Sequence, residues 1–345
     1  MKLWRRLALL SCAAAIAGFA PAAEAQELET LRLQVETASG QRLSGALVAL
    51  VDRNNRVLAE SLSNSNGLLS LSAVAGEYRI RVRRVGYRPY YSTAVTLPRG
   101  LLVVKAESPR VELASMVVSA KAQCGRRNRD AAALAEVWEE IAKALQAKRL
   151  TQDDATTLGI TGVYKHDLKA DGSIEKADTT FFAESSVRPF AAIDASSLLR
   201  DGYVRGNITD GWEYFGPDEV VLLSDGFAET HCFSLLRQSA RQGQLGLSFD
   251  PAPSRKKADI RGVLWIDEKT SELREVTFQF VNVDDIDRFD NGGFTKFRRM
   301  PSGSWIVEEW KLRMPKLKIT AGMTNRIGVI GYVENGGMIL GNSFR

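Results

Sequence analysis

Residues 41–89 read QRLSGALVALVDRNNRVLAESLSNSNGLLSLSAVAGEYRIRVRRVGYRP. Apolar residues alternate through Ala46, Val48 and Leu50 and again through Tyr78, Ile80 and Val82, so each strand buries one face and solvates the other. Asn54-Asn55, Asn66-Gly67 and Ala75-Gly76 supply the turns between these runs, since Asn and Gly tolerate left-handed backbone. Short strands at this spacing predict a small antiparallel sandwich. Its later strands fall at residues 93–97, 101–105, 111–113 and 116–118, with Pro98-Arg99-Gly100 and Ser108-Pro109 as breaks.

Within the same stretch stand Gly45-Ala46-x-Val48, Asn64-x-Asn66-Gly67-x-x-x-Leu71, Gly76-Glu77-Tyr78-x-Ile80-x-Val82 and Gly86-Tyr87. In these positions the segment resembles the carboxypeptidase regulatory-like domain, which implies a seven-stranded immunoglobulin-like sandwich of the carbohydrate-binding-like fold class. The resemblance implies a scaffold and no reaction. It also implies saccharide or glycan binding, with Tyr87, Tyr90 and Tyr91 as the aromatics placed to stack on a sugar ring, against the alternative that they pack the strands near Gly86 and Pro89.

Residues 1–25 have the three parts of a secretory signal. Lys2, Arg5 and Arg6 precede an apolar run from Leu7 to Phe19, and Ala23-Glu24-Ala25 precedes the cut. The run is too short to span a bilayer of about 30 Å, so an exported chain beginning at Gln26 is expected, periplasmic, associated with the outer membrane or extracellular. The 345 residues are 45% hydrophobic and 25% charged, an ordinary globular composition long enough for two domains. The net charge of +5 includes three cations that leave with the signal, and what remains is too small to argue for nucleic acid. Of three cysteines, Cys124 and Cys232 survive cleavage. In an oxidising compartment they are expected to pair, and loop-closure entropy puts the gain at roughly 4 to 5 kcal/mol before strain.

Four segments follow from these signals: signal peptide 1–25, sandwich 26–120, linker and amphipathic helix 121–150, and an antiparallel β domain 151–345. The helix is carried by Leu134, Val137, Trp138, Ile141 and Leu145 at three- and four-residue steps. Asp130 marks its start, Lys143, Lys148 and Arg149 suit its C-terminal dipole, and Trp138 is read as a core anchor. From Leu158 onward period-two alternation dominates, with Asp171-Gly172, Asp210-Gly211, Asp225-Gly226, Asn291-Gly292-Gly293 and Ser302-Gly303 as turns. Successive hairpins make a meander that must curl or be covered. The expected fold is therefore mainly β: a seven-stranded sandwich, a linking helix, and a curved antiparallel sheet or incomplete barrel with the helix as its cover.

The run DIRGVLWIDEKTSELR at residues 259–274, followed by Ser302-Gly303-Ser304-Trp305, is similar to hairpins of periplasmic lipoprotein-carrier proteins over residues 246–315. Those are half-open barrels, and the resemblance implies a lipid or other apolar ligand. Trp212, Phe215, Trp265, Phe278, Trp305 and Trp310 are the candidate lining, with sealed packing as the alternative.

Chemistry is harder to find. His166 and His231 are the two histidines, so a multi-histidine metal site and metallocarboxypeptidase catalysis are not expected. His231 and Cys232 are adjacent, and neighbours on a strand point to opposite faces, which argues against a thiol nucleophile and its base. Neither a G-x-S-x-G elbow nor a phosphate-binding glycine loop occurs. Asp284, Asp285, Asp287 and Asp290 precede Asn291-Gly292-Gly293, but the spacing lacks the glutamate of a calcium loop. The expectation is an exported, non-enzymatic binding or scaffold protein of the bacterial envelope, without cofactor or metal. Its partner would be a glycan, an apolar ligand or another envelope protein.

Overall fold

A computed structural model describes residues 28–97, 100–106, 131–151, 157–183, 190, 193–207, 210–283, 286–320 and 326–344. Seven strands open the chain: β1 (Leu28–Glu36), β2 (Leu47–Val51), β3 (Val57–Leu62), β4 (Leu68–Val74), β5 (Gly76–Arg84), β6 (Tyr87–Leu97) and β7 (Leu102–Lys105). They form two sheets, ordered β4-β1-β7 and β3-β2-β5-β6, with β7 running parallel to β1. The expected sandwich is thus present. The strands expected at 111–113 and 116–118 lie outside the described residues. Leu31, Leu33, Val35, Leu69 and Leu71 of one sheet meet Val48, Leu50, Ile80, Val82 and Val95 of the other in a single core. The turn residues act as their types predict: Asp52 accepts from the Asn54 and Arg56 N–H groups, Asn64 from those of Asn66 and Leu68, and Asn55 sits at φ 63°.

One strand departs from simple alternation. All five residues of β2 are buried. Val48 and Leu50 face the sandwich core, while Leu47 and Val85 belong to a second, larger core. That core is built by α1 (Ala131–Leu150) and the remaining chain: β8 (Thr157–Lys169), β9 (Ile174–Ala183), α2 (Ala195–Asp201), β10 (Val204–Asn207), β11 (Gly211–Tyr214), α3 (Glu219–Leu222), α4 (Asp225–Thr230), β12 (His231–Leu236), β13 (Gln244–Pro251), β14 (Asp259–Asp267), β15 (Leu273–Val281), β16 (Gly292–Arg299), β17 (Trp305–Thr320) and β18 (Arg326–Phe344).

Nine strands make one antiparallel sheet in the order β12-β13-β14-β15-β16-β17-β18-β8-β9. It curves without closing into a barrel. Seven strands are a meander, and the earlier hairpin β8-β9 adds to its far side. The inner face is apolar, with Leu247, Phe249, Leu264, Val276, Phe278, Phe280, Phe297 and Trp310 in one core with Val137, Ile141, Ala144 and Leu145 of α1.

The helix is covered on two sides, which its sequence does not announce. Val137, Ile141 and Leu145 occupy the expected stripe and are fully buried, but Trp138 is half-buried at its flank, tilted against Phe233 at 5.5 Å. Lys143 and Lys148, expected to suit the C-terminal dipole, are buried. Lys143 Nζ donates to Glu140 Oε1 at 2.6 Å and to the Tyr87 carbonyl at 2.6 Å, and the Gly86 N–H donates to Glu140 Oε2 at 2.6 Å. Lys148 pairs with Glu219 at 3.5 Å. The sandwich therefore docks through its β5-β6 turn onto a buried ion pair of the helix. Arg83 with Glu60, Arg88 with Glu136 and Gln146 with Glu60 surround it. A second contact brings Gly45 against Gly303, where a Cβ on Gly303 would lie 2.3 Å from the Gly45 Cα. Asp130, the expected helix start, is outside the described residues. Asp225-Gly226 is not a turn but the first residues of α4, capped by the Ser224 hydroxyl accepting from the Phe227 N–H.

Candidate ligand-binding cleft

Where α1 ends its cover, the inner face of the sheet stays open. Hairpin β10-β11 lies beside β17, β18 and β8 there, and between them is a cleft of ≈ 630 Å³, open to solvent along one side. The hairpin turn is set by Asn207, whose Oδ1 accepts from the Asp210 N–H at 2.9 Å, and by Gly206 and Gly211 at φ 98° and 94°. Period-two alternation then places Trp212 and Tyr214 on one face. With Phe215, Met314, Leu317 and Val333 they give the cleft an apolar wall.

Two polar atoms buried behind that wall lack partners. The buried Trp212 indole N–H and Tyr214 hydroxyl make no hydrogen bond, and a buried unsatisfied polar group costs about 1 to 3 kcal/mol. Burial pushes the Tyr214 phenol up, so it remains a neutral donor. Lys165 and Lys316 stand at the rim. Lys316 bonds Asp167 at 2.6 Å, and this bond holds the Asp167 carboxyl below its ordinary value.

Of the expected lining, Trp212 and Phe215 are at the cleft. Trp305 is sealed in the core. Trp265 is equally buried but lies on the other face of β14, packed across Gly246 with the Arg241 guanidinium 4.5 Å above its ring. Phe278 and Trp310 pack edge-on against Phe190 at 5.8 and 5.7 Å. Tyr214, Met314, Leu317 and Val333 also line it without having been expected there. The Trp-x-Tyr pattern of residues 212–214 carries a signal for Tyr214. The other three continue the alternation of the core and are distinguished from it only by where the helix stops.

Tyr87, Tyr90 and Tyr91 do not form a common platform. Tyr87 lines a separate cleft of ≈ 460 Å³ with Leu43, Val82 and Arg88, and the Arg84 guanidinium stands 5.0 Å over its ring. Tyr90 packs against the sandwich core. Tyr91 is exposed, with Arg79 at 5.9 Å from its ring.

His231 and His166 sit on β12 and β8, separated by most of the sheet. His231 is sealed: Nε2 lies 3.2 Å from Asp259 Oδ1, Nδ1 lies 3.0 Å from the Phe227 carbonyl, and Arg255 also pairs with Asp259. This is a pin between α4, β12 and β14 with no room for a substrate. His166 stacks on Tyr164 at 4.4 Å. Among the described residues, no group of three or more His, Cys, Asp or Glu could hold a metal ion. Asp284 and Asp285 lie outside them; Asp287 accepts from the Asn282 and Val283 N–H groups, and Asp290 pairs with Arg313 at 2.6 Å. Cys232 is on β12, and Cys124 is outside the described residues.

Residues 30–104 match the carboxypeptidase regulatory-like domain. The regulatory-like sandwich fits a non-enzymatic scaffold or binding role. No curated protein matches the chain. Among solved structures, the chain is similar to BcpA, the major pilin subunit of Bacillus cereus, at 8% identity over 87% of this chain and 95% of that one, with a TM-score of 0.19. It is also similar to a 9R-lipoxygenase from Cyanothece PCC8801, at 12% identity over 74% of this chain and 39% of that one, with a TM-score of 0.17. At such TM-scores neither likeness assigns a fold or a function.

Proposed function

We propose that this chain is an exported, non-enzymatic binding protein of the bacterial cell envelope, and that it holds an amphiphile in the open end of its curved sheet. The observation that carries the reading is the ≈ 630 Å³ open cleft, one wall of which is the apolar row Trp212, Tyr214, Phe215, Met314, Leu317 and Val333. Binding sites of this size are typically apolar with a few convergent polar groups. An acyl chain would cover Phe215, Met314, Leu317 and Val333. Glycan binding by the sandwich has less support, because Tyr87, Tyr90 and Tyr91 present no shared stacking face.

The test is titration with cis-parinaric acid, a fluorescent fatty acid. Saturable binding is expected, and Met314→Glu should weaken it on the order of tenfold or more, by setting a carboxylate in the apolar wall. Absence of saturable binding to the wild-type chain would overturn the reading.

Export also implies that Cys124 and Cys232 are paired, with Cα atoms about 4.4 to 6.8 Å apart. The exported protein, unfolded without reductant, should then react with no thiol reagent. Two reactive thiols in that material would refute the pairing.

A further inference from the structure

The nine-stranded sheet ends on β9, and every residue of that strand, Ile174 to Ala183, is exposed. A ten-residue edge without proline is a ready template for another strand. Phe181 and Phe182 are 61% and 43% exposed, and Ile160 and Leu340 beside them are each 54% exposed. This end of the sheet is unusually apolar for an edge.

Its charges select an occupant. Registers across β8 and β9 set Lys165 opposite Asp178 and Asp167 opposite Lys176, so opposite charges already alternate along one face. We propose that β9 pairs antiparallel with β9 of a second copy about a two-fold axis at Ala177. Residues directly opposite in such a pair share a face and have numbers that sum to twice the central one. Lys176 of each copy then meets Asp178 of the other. One row reads Lys165, Asp178, Lys176, Asp167 across four strands, and the other is its symmetric counterpart, so opposite charges alternate throughout. Only alanine lies on the axis. Centring on Glu175, Lys176 or Asp178 would instead set like charges face to face, which is unfavourable. The contact is isologous and closes as a dimer. It joins the two sheets and brings both clefts onto one continuous inner face. It is independent of what the cleft binds.

Sedimentation velocity over a range of concentrations tests this with the wild-type chain, two single variants and their mixture. The wild-type chain should dimerise. Lys176→Glu sets the new carboxylate against Asp178, and Asp178→Lys sets the new ammonium against Lys176, so each variant alone should dissociate with a Kd raised on the order of tenfold or more. An equimolar mixture of the two variants should dimerise again. In the mixed pair the acid introduced at position 176 of one copy faces the lysine introduced at position 178 of the other, and the native Asp178 faces the native Lys176. Both variants should keep the wild-type circular dichroism, since both positions are exposed. A wild-type chain that is monomeric at every concentration would overturn the proposal, as would a dimer indifferent to either substitution or a mixture that stays monomeric. A monomer that floats with phosphatidylglycerol vesicles through β9 would overturn it too, assigning the edge to a membrane.

Discussion

Lys143→Met is expected to destabilise the fold by about 3 to 5 kcal/mol, the range for removing one partner of a buried ion pair. Lys143 and Glu140 are 0% and 1% exposed. Without the ammonium, the Glu140 carboxylate stays buried with the Gly86 N–H as its remaining donor and Glu139 close by. The Tyr87 carbonyl also loses the Lys143 ammonium as a donor. Adding Glu140→Gln removes the stranded charge and should recover most of the loss. The pH dependence follows from Glu140. Burial raises its pKa above 4.5, and Lys143 is the foremost influence lowering it. A raised folded value means that the folded state binds the proton more tightly, so stability from this group falls as pH rises from the unfolded value through the folded one. In Lys143→Met the carboxyl rises further, and the penalty should shrink from about pH 8 to about pH 5. Denaturant unfolding at both values measures this. A variant as stable as wild type would show that the sandwich does not depend on the pair for its docking.

Ile141→Ala should cost about 2 to 5 kcal/mol, as large-to-small core substitutions do. Ile141 is fully buried between the inner face of the sheet and the rest of α1. Trp138→Ala should cost clearly less, because the indole is half-buried and packs chiefly on Phe233. Glu139→Ala should cost least, since its ion pair with Arg83 is long, at 3.6 Å, and partly exposed. Trp138→Ala matching or exceeding Ile141→Ala would reverse the assignment of the helix centre.

The rank of Trp138 below Ile141 shows what one-dimensional pattern can carry. The spacing of Leu134, Val137, Trp138, Ile141 and Leu145 gives the stripe correctly, and an indole is the largest side chain on it. Its position at the edge of the contact depends on the tertiary angle of the helix. The sequence does not mark Glu140, Lys143 and Lys148 as buried, because charged residues are seldom buried unless paired and their partners are distant in sequence: the Gly86-Tyr87 turn and Glu219. Alternation in residues 41–89 identifies the sandwich, yet burial of both faces of β2 requires a neighbour the pattern does not contain. Strand β8 shows its alternation through Leu158, Ile160, Tyr164 and Leu168, but the sequence does not show that Ile160 stays exposed. Trp212 is legible as a lining residue. Trp265 and Trp305 are not separable from it, since a curved sheet uses the same large residues on its outer face, in its sealed core and at its open end.

Quenching by 9,10-dibromostearate is the sharpest probe of amphiphile binding, because bromine quenches an indole only on close approach. Among the described residues, Trp212 is the one tryptophan lining the cleft, while Trp265, Trp305 and Trp310 are buried away from it or beneath the core. Saturable quenching of the wild-type emission is predicted, lost in Trp212→Phe while cis-parinaric acid still binds that variant. Quenching that persists unchanged in Trp212→Phe, or none in the wild-type chain, would contradict binding in this cleft.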